Sequence, residues 1–415
     1  MRKQADRGQK LYAPRGVSLD LTSQLRDIAA RLIATDTVSS RGNAELMGEL
    51  GDRLETAGFR ARLQRWGEGP HAKANLVAVA GPAEPGGLVV SGHLDVVPFA
   101  DQPGWTRDPL RLAFDGDRVY GRGSSDMKVF LAQCVAAAFA LDLAALRRPV
   151  VFVFTADEEI GCLGSARLLP ELDALLGGVP RPALAWIGEP TSWRVLHAHK
   201  GIAAFSVSVR GRGGHSSVPT AGVNAIAVAA QALARVGELQ AELRRAPRAE
   251  FAALFSDAPY TTLNFGTVQG GTAPNVIAEQ CAFTVSYRPL PDEDPLFVQR
   301  EVKRRLGARA FTDWGSDVEA EVSVSDALVA PGLLSPTGTT LEHALREQLA
   351  AGAPGGAPFC TDGGRFATAG IASLICGPGD LEQAHQPDES VSRAAFESGA
   401  EHIQRVIERM CVSAS

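Results

Sequence analysis

Apolar positions near the start of the chain recur at helical spacing. Leu25, Ile28, Ala29 and Leu32 form one stripe and Leu46, Leu50 and Leu54 a second, with Gly58 as a stop signal. Two helices separated by a polar loop are therefore predicted between Leu21 and Gly58. The pattern then changes to short runs rich in Val, Leu and Phe, bounded by Gly or Pro: Asn75 to Ala80, Leu88 to Ser91 and Val150 to Phe154. These are expected to be strands. Val129 to Leu146 is a stretch of 18 mostly apolar residues, near the length of a membrane span, but Gln133 and Asp142 interrupt it and much of its apolarity is Ala. It reads as a buried core helix. Strands alternating with helices in this way predict an α/β sheet sandwiched between helices.

Beyond Lys200 the periods shift. Ala204 to Val209 alternates, Val223 to Val236 is helical, Thr261 to Val268 and Gln280 to Arg288 are strand-like, Leu296 to Leu306 is helical, and Val318 to Val324 alternates again. This βαββαβ order predicts a four-stranded antiparallel sheet with two helices on one face, spanning about residues 201–327 and inserted into the first unit. After Ser335 a helix (Thr340 to Ala350), a Gly/Pro-rich loop, a short strand (Ile371 to Ile375) and a terminal helix (Arg393 to Met410) are expected to complete the first sheet.

The composition of the 415 residues, 45% hydrophobic and 21% charged, excludes a disordered or collagen-like chain. With 47 acids against 41 bases the net charge is -6, so no sequence-wide positive field attracts nucleic acid or an anionic membrane. A small-molecule or peptide substrate fits better. Cys134, Cys162, Cys281, Cys360, Cys376 and Cys411 show no Cys-x-x-Cys pair and read as reduced thiols. Met1 to Gly16 carries bases but no apolar core, so it does not read as a secretory leader, and a cytoplasmic protein is expected.

Five clusters carry candidate chemistry. Ser91-Gly-His-Leu-Asp-Val-Val-Pro98 places His93 and Asp95 two apart at a strand end, where both side chains are expected on one face. A metal-ligating His needs a partner for its other nitrogen, which such a carboxylate supplies; a surface His beside an Asp is the plain alternative. Gly121-Arg-Gly-Ser-Ser-Asp-Met-Lys128 puts Asp126 in a Gly-rich loop before the long helix, as a ligand or as a helix cap. Asp126 occupies the third Gly position of a dinucleotide fingerprint, so that motif is absent. Thr155-Ala-Asp-Glu-Glu-Ile-Gly161 holds three consecutive acids, which repel one another unless solvated or offset by a cation. Of such a pair, one carboxylate can bind metal while Glu158 or Glu159 stays free as a general base. Ile187-Gly-Glu-Pro190 supplies Glu189, and Gln383-Ala-His-Gln-Pro-Asp388 supplies His385.

Each cluster lies at or just after a predicted strand end, where open α/β sheets bind ligands. Two His and three carboxylates match a two-metal site with one bridging carboxylate. Three negative charges from Asp126, Glu159 and Glu189 are exceeded by one when two divalent ions bind.

The ordered set His93-x-Asp95, Asp126, Glu158-Glu159, Glu189-Pro190 and His385 resembles the two-zinc metallohydrolases that include acetylornithine deacetylase, succinyl-diaminopimelate desuccinylase, aminoacylase and glutamate carboxypeptidase. The resemblance runs from about Leu21 to Met410. It is nearest to the acetylornithine deacetylases through Trp105-Thr-Arg-Asp-Pro109, Gly188-Glu-Pro-Thr191, Ala198-His-Lys-Gly201, Gly214-His-Ser-Ser217 and Gly377-Pro-Gly379. It implies a zinc-peptidase-like α/β/α sandwich over residues 20–200 and 328–412, with a ferredoxin-like α+β lid over 201–327 that also forms a homodimer. It implies two Zn2+, with Co2+ or Mn2+ also accepted by such ligands. His93 and Glu189 would hold one ion, Glu159 and His385 the other, and Asp126 would bridge them. Asp95 would orient His93, Glu158 would be the general base, and His215 would stabilise the oxyanion from a partner subunit. Asn275 and Arg288 match lid positions that bind substrate, Arg288 suiting an α-carboxylate through its planar fork.

Thr361-Asp-Gly-Gly-Arg-Phe366 departs from the deacetylase pattern towards the desuccinylases. If Arg365 faces the acyl pocket, it could accept a second carboxylate. The reaction implied is removal of an acyl group, acetyl foremost, from the α-nitrogen of an amino acid such as ornithine, as in arginine biosynthesis. A desuccinylase, aminoacylase or carboxypeptidase is the near alternative. A non-catalytic binding protein of the same fold is the remote one, and it would have no need of a free Glu158 beside a ligand.

Overall fold

The computed structural model describes residues 21–308, 311–313 and 318–412. The stretch Met1 to Gly16 and position 20 lie outside them. Four strands run parallel at the centre of the larger sheet, in the order Val150–Thr155, Leu88–His93, Leu184–Ile187 and Ala372–Ile375. Antiparallel strands extend it on both sides. Lys73–Ala80 and Arg60–Trp66 lie beyond the first, and Leu196–His199 and Leu333–Leu334 beyond the last.

Leu88–His93 and Val150–Thr155 are buried along their whole length because helices cover both faces, as parallel strands require. Alternate side chains go to opposite layers. Val150, Phe152 and Phe154 join a core with helices Leu21–Ile33, Lys128–Ala140 and Arg393–Cys411. Val151 and Val153 join another core with Leu163–Leu168, Leu172–Leu176 and Gly363–Thr368. These three short helices were not legible in the apolar spacing.

The 18-residue apolar stretch is a core helix, shorter than expected. Gln133 satisfies its amide nitrogen inside the protein by donating to the carbonyls of Ala395 at 2.8 Å and Phe396 at 3.0 Å. The helix stops at Ala140, because Asp142 accepts from the Ala144 N–H and starts a tight turn over Leu143–Ala145. Among the described residues no helix is long and apolar enough to cross a membrane.

A second sheet contains Thr262–Gly270, Gln280–Arg288, Ile202–Arg210 and Glu319–Val324 in that order, each pair antiparallel. Helices Ala225–Arg244 and Phe297–Gly307 cover one face, where Val228, Val236 and Val302 pack with Val207, Phe283 and Val285 in a core of their own. Two strands add to the four expected: Phe311–Thr312 beside Glu319–Val324, and Leu328–Ala330 beside Ile202–Arg210. The second lies past residue 327, because its backbone finds partners at Ile202 to Ala204. A small sheet of Ser390–Ser392, Arg118–Tyr120 and Ala113–Asp115 ties the C-terminal segment to the loop that carries Asp126.

Candidate metal centre and active site

The parallel strands deliver their ends to one place. His93 is the last residue of Leu88–His93, Glu158 and Glu159 follow Val150–Thr155, Glu189 follows Leu184–Ile187, and His385 lies in the segment after Ala372–Ile375. Asp126 enters from the loop ahead of helix Lys128–Ala140.

Two groups of ligand-type side chains result, His93 with Asp126 and Glu189, and Asp126 with Glu159 and His385, each with one donor atom per residue inside 4.8 Å. His93 Nε2 lies 3.0 Å from Asp126 Oδ1 and 3.8 Å from Glu189 Oε2. His385 Nε2 lies 3.2 Å from Asp126 Oδ2 and 3.2 Å from Glu159 Oε2. The two oxygens of Asp126 thus face different imidazoles. All of these residues were expected to converge, and the structure brings them together.

The carboxyls and imidazoles of the cluster shift one another strongly. Burial works against a charged His93, yet the charge of Glu189 and its bonds with Asp126 and Glu189 hold its pKa well above the usual value. Bonds with Asp126 and Glu159 push His385 up to about 10. Burial pushes Asp126 up, but the bonds from His385 and His93 outweigh it and hold this carboxyl below its usual range. Burial pushes Glu189 up to about 7. The second oxygens, Oε1 of Glu159 and Oε1 of Glu189, are buried with no hydrogen-bond partner among the described residues. Mixed imidazole and carboxylate donors with spare buried oxygens fit a pair of divalent ions. Glu158 stands apart from both groups. Its carboxyl is driven well above the usual range by burial and then by the charge of Glu189, and among the described residues it accepts only from the Cys162 thiol at 3.5 Å. An acid of raised pKa beside a cation site suits proton transfer near neutral pH.

Several expectations change in detail. Asp95 orients His93 through its backbone carbonyl, 2.9 Å from Nδ1, while its carboxylate is 3.6 Å away. That carboxylate instead accepts from the Glu158 N–H at 3.1 Å, the Glu159 N–H at 3.2 Å and the Ser39 hydroxyl at 2.6 Å. The strand has ended at His93, so the two-residue alternation no longer governs Asp95. Asp126 is not a helix cap, since Met127 holds that position and no side chain caps there. The third acid of the run, Asp157, pairs with Lys73.

His215 lies elsewhere, on the short ladder of Gly214–His215 and Val276–Ile277, and Asn275 directly precedes the second of these strands. His215 is exposed and its Nδ1 accepts from the Ser217 hydroxyl at 2.7 Å; the Asn275 carbonyl accepts from the Ser216 N–H at 3.1 Å. Arg288 is half-buried at the end of Gln280–Arg288. It adds to the influences that hold the Cys360 thiol low, the largest being a hydrogen bond from Cys162. Arg365 donates Nη2 to the carbonyls of Val329 and Gly161, the latter at 3.4 Å. Sequence reasoning missed Ser39, Gln102, Arg122 and Glu389 around the centre. The position of Glu389, directly after the His385 motif, and that of Arg122, inside the Asp126 motif, offered the signals.

The family model of peptidase family M20/M25/M40 matches residues 89–409. Acetylornithine deacetylase of Pasteurella multocida is 34% identical over 390 residues, covering 92% of this chain and 96% of its own. That of Proteus mirabilis is 35% identical over 386 residues, with 92% and 93% covered. Among solved structures, an M20 family metallo-carboxypeptidase from Sulfolobus solfataricus shares the fold at TM-score 0.74 and 17% identity, covering 93% of this chain and 99% of that one. A dinuclear metal binding peptidase of Bacillus subtilis does so at TM-score 0.60 and 16% identity, with 93% and 97% covered. A family match over most of the length, together with relatives above 30% identity, shows that the chain belongs to peptidase family M20/M25/M40, and with it to the metal-dependent hydrolases.

Proposed function

We propose that this protein is a two-metal amidohydrolase that removes an acyl group, acetyl foremost, from the α-nitrogen of an amino acid such as ornithine. The observation that carries the reading is the shared Asp126, whose Oδ1 and Oδ2 face His93 and His385 at 3.0 and 3.2 Å. His93 and Glu189 would hold one ion, Glu159 and His385 the other, with Asp126 between them. Two divalent ions held there, Zn2+ foremost with Co2+ or Mn2+ able to substitute, would supply Lewis acidity that makes water a nucleophile near neutral pH and polarises the amide carbonyl.

The chain's own residues supply the rest. Glu158 takes a proton from the attacking water and delivers it to the leaving amine, a transfer favoured by its raised pKa. Asp95 holds Glu158 and Glu159 by their backbone. His215 donates to the oxyanion of the tetrahedral carbon. Its exposure supports a homodimer in which the inserted domain, residues 201–327, presents His215 to the partner's site. Arg288 grips the α-carboxylate in bidentate fashion, and Asn275 binds beside it. The Nη2 of Arg365 is engaged by backbone carbonyls, which supports an uncharged acyl group over succinyl. The two curated deacetylase relatives support the same choice. Six free cysteines fit a cytoplasmic enzyme.

Purified protein should release amine from acetylornithine faster than from succinyl-diaminopimelate or acyl-glutamates, and only with metal present. Failure to turn over any of the three would refute the reading.

A further inference from the structure

The loops that carry Asp126 and His385 meet through residues to which the reaction above assigns no part. Glu389, only 1% exposed, sets one carboxylate on four donors. Its Oε1 accepts from the N–H groups of Ser125 at 2.8 Å and Asp126 at 2.9 Å. Its Oε2 accepts from the N–H of Gly123 at 3.0 Å and from Arg122 Nη1 at 2.8 Å. Arg122 is equally buried. It turns Nη2 to the Gln102 side-chain carbonyl and lies 5.0 Å from the Trp105 ring centre. Trp105 Nε1 donates to that same Gln102 oxygen at 3.2 Å, and Gln102 donates its amide to the backbone carbonyl of His385 at 2.7 Å.

This path is continuous from the backbone of Asp126 to the backbone of His385. His385 needs such support, because its φ of +62° is a conformation that residues other than glycine seldom adopt. Taking two charges out of water is costly, and an apolar pair of the same volume often stabilises a protein as well. What a charged pair with several directed bonds adds is geometry: four donors fix the Glu389 carboxylate and both terminal nitrogens of Arg122 are engaged, which ties the two loops together.

We propose that Arg122, Glu389 and Gln102 are positioning residues that set the spacing between Asp126 and His385, and thereby the affinity of the ion position those two share with Glu159. This rests on the two-ion reading of the centre. The three residues act at different points on the path. Of the two ligand residues Gln102 bonds directly to His385 alone and reaches Asp126 only through Arg122 and Glu389, so its loss should loosen one ion position and leave the His93, Asp126 and Glu189 group as it is. Glu389 reaches the backbone of Asp126, which both positions share, so its loss should weaken both. A Gln at 389 can accept on one side only, leaving two donors facing its amide nitrogen.

The test is titration of metal-free full-length protein with Co2+, followed by calorimetry and visible absorption, with circular dichroism to confirm folding. The unaltered protein should take up two ions. Gln102→Ala should lose about 10- to 100-fold in affinity for one ion and keep the other constant, while Glu389→Gln should weaken both. Unchanged affinities in Gln102→Ala, or an equal fall in both, would overturn the positioning role. If unaltered protein fails to bind two ions, the two-ion reading itself is refuted. Should Glu389→Gln not fold, Gln102→Ala decides, since Gln102 is partly exposed and outside the hydrophobic cores.

Discussion

The carboxylate of Asp95 holds Glu158 by its backbone: Oδ1 accepts from the Glu158 N–H at 3.1 Å, while Oδ2 takes the Glu159 N–H at 3.2 Å. One side chain thus anchors two adjacent acids with different proposed tasks, a metal ligand and a proton carrier. Asp95→Asn keeps the size but turns one acceptor into a donor facing an N–H. The expected result is a 10- to 100-fold fall in kcat, in the range typical for lost outer partners of a metal site. Steady-state kinetics on the folded variant checks it, and an unchanged kcat would remove Asp95 from the machinery.

Among the described residues Glu158 accepts only from a weak thiol donor, so its substitution should leave the surrounding geometry in place. Glu158→Gln removes proton transfer while preserving shape. A fall in kcat of about 10^2- to 10^4-fold is expected with bound metal unchanged. Elemental analysis beside the rate measurement separates the two effects. Activity that survives would contradict the assignment of the base.

Asp126 belongs to both ligand groups, so its loss should be felt twice. Chelator-treated protein is expected to lose activity and regain it with Zn2+, Co2+ or Mn2+. Asp126→Asn should retain fewer than two ions per chain under conditions that saturate the unaltered protein. A variant that still binds two ions would show that Asp126 is not the bridge.

Gly188 lies between strand Leu184–Ile187 and Glu189, and a Cβ there would stand 2.1 Å from the Phe130 ring. That ring packs edge-on against Trp186 with centroids 5.7 Å apart and cannot retreat freely. Gly188→Ala should therefore cost about 1–3 kcal/mol, the usual penalty of overpacking. Urea unfolding of metal-free protein gives the number, and stability equal to the unaltered chain would mean that the core yields.

The His215 ring bonds to Ser217 of its own turn, and its proposed contribution is to the transition state. His215→Ala should lower kcat about 100-fold with little change in KM, as for a lost oxyanion donor. Mixing this variant with inactive Glu158→Gln protein provides a second measure: recovered activity in mixed dimers would show that the imidazole serves the partner's site. Equal loss in KM alone would assign His215 to binding.

Much of the architecture was legible beforehand because hydrophobic periodicity is local. Val150, Val151, Phe152 and Val153 alternate between two layers, and that run is recognisable as a fully buried strand before any contact is known. The three short helices Leu163–Leu168, Leu172–Leu176 and Gly363–Thr368 were not, since one or two turns do not display a helical period. The ligand-type side chains were also legible, because each sits in a short motif at a strand end.

By itself the sequence determined the layered α/β arrangement with its inserted antiparallel sheet, and the identity of the residues from His93 to His385 that gather at one edge. The tertiary structure alone decided which atoms face each other. It placed the two oxygens of Asp126 on different imidazoles, turned the Asp95 carboxylate to the backbone of Glu158 and Glu159, and joined Gln102 to the carbonyl of His385 across a separation of 283 positions. The physical reason is that the first depends on how distant loops pack and the other two on backbone groups, which every residue possesses, so side-chain identity along the chain carries no mark of which atoms will meet.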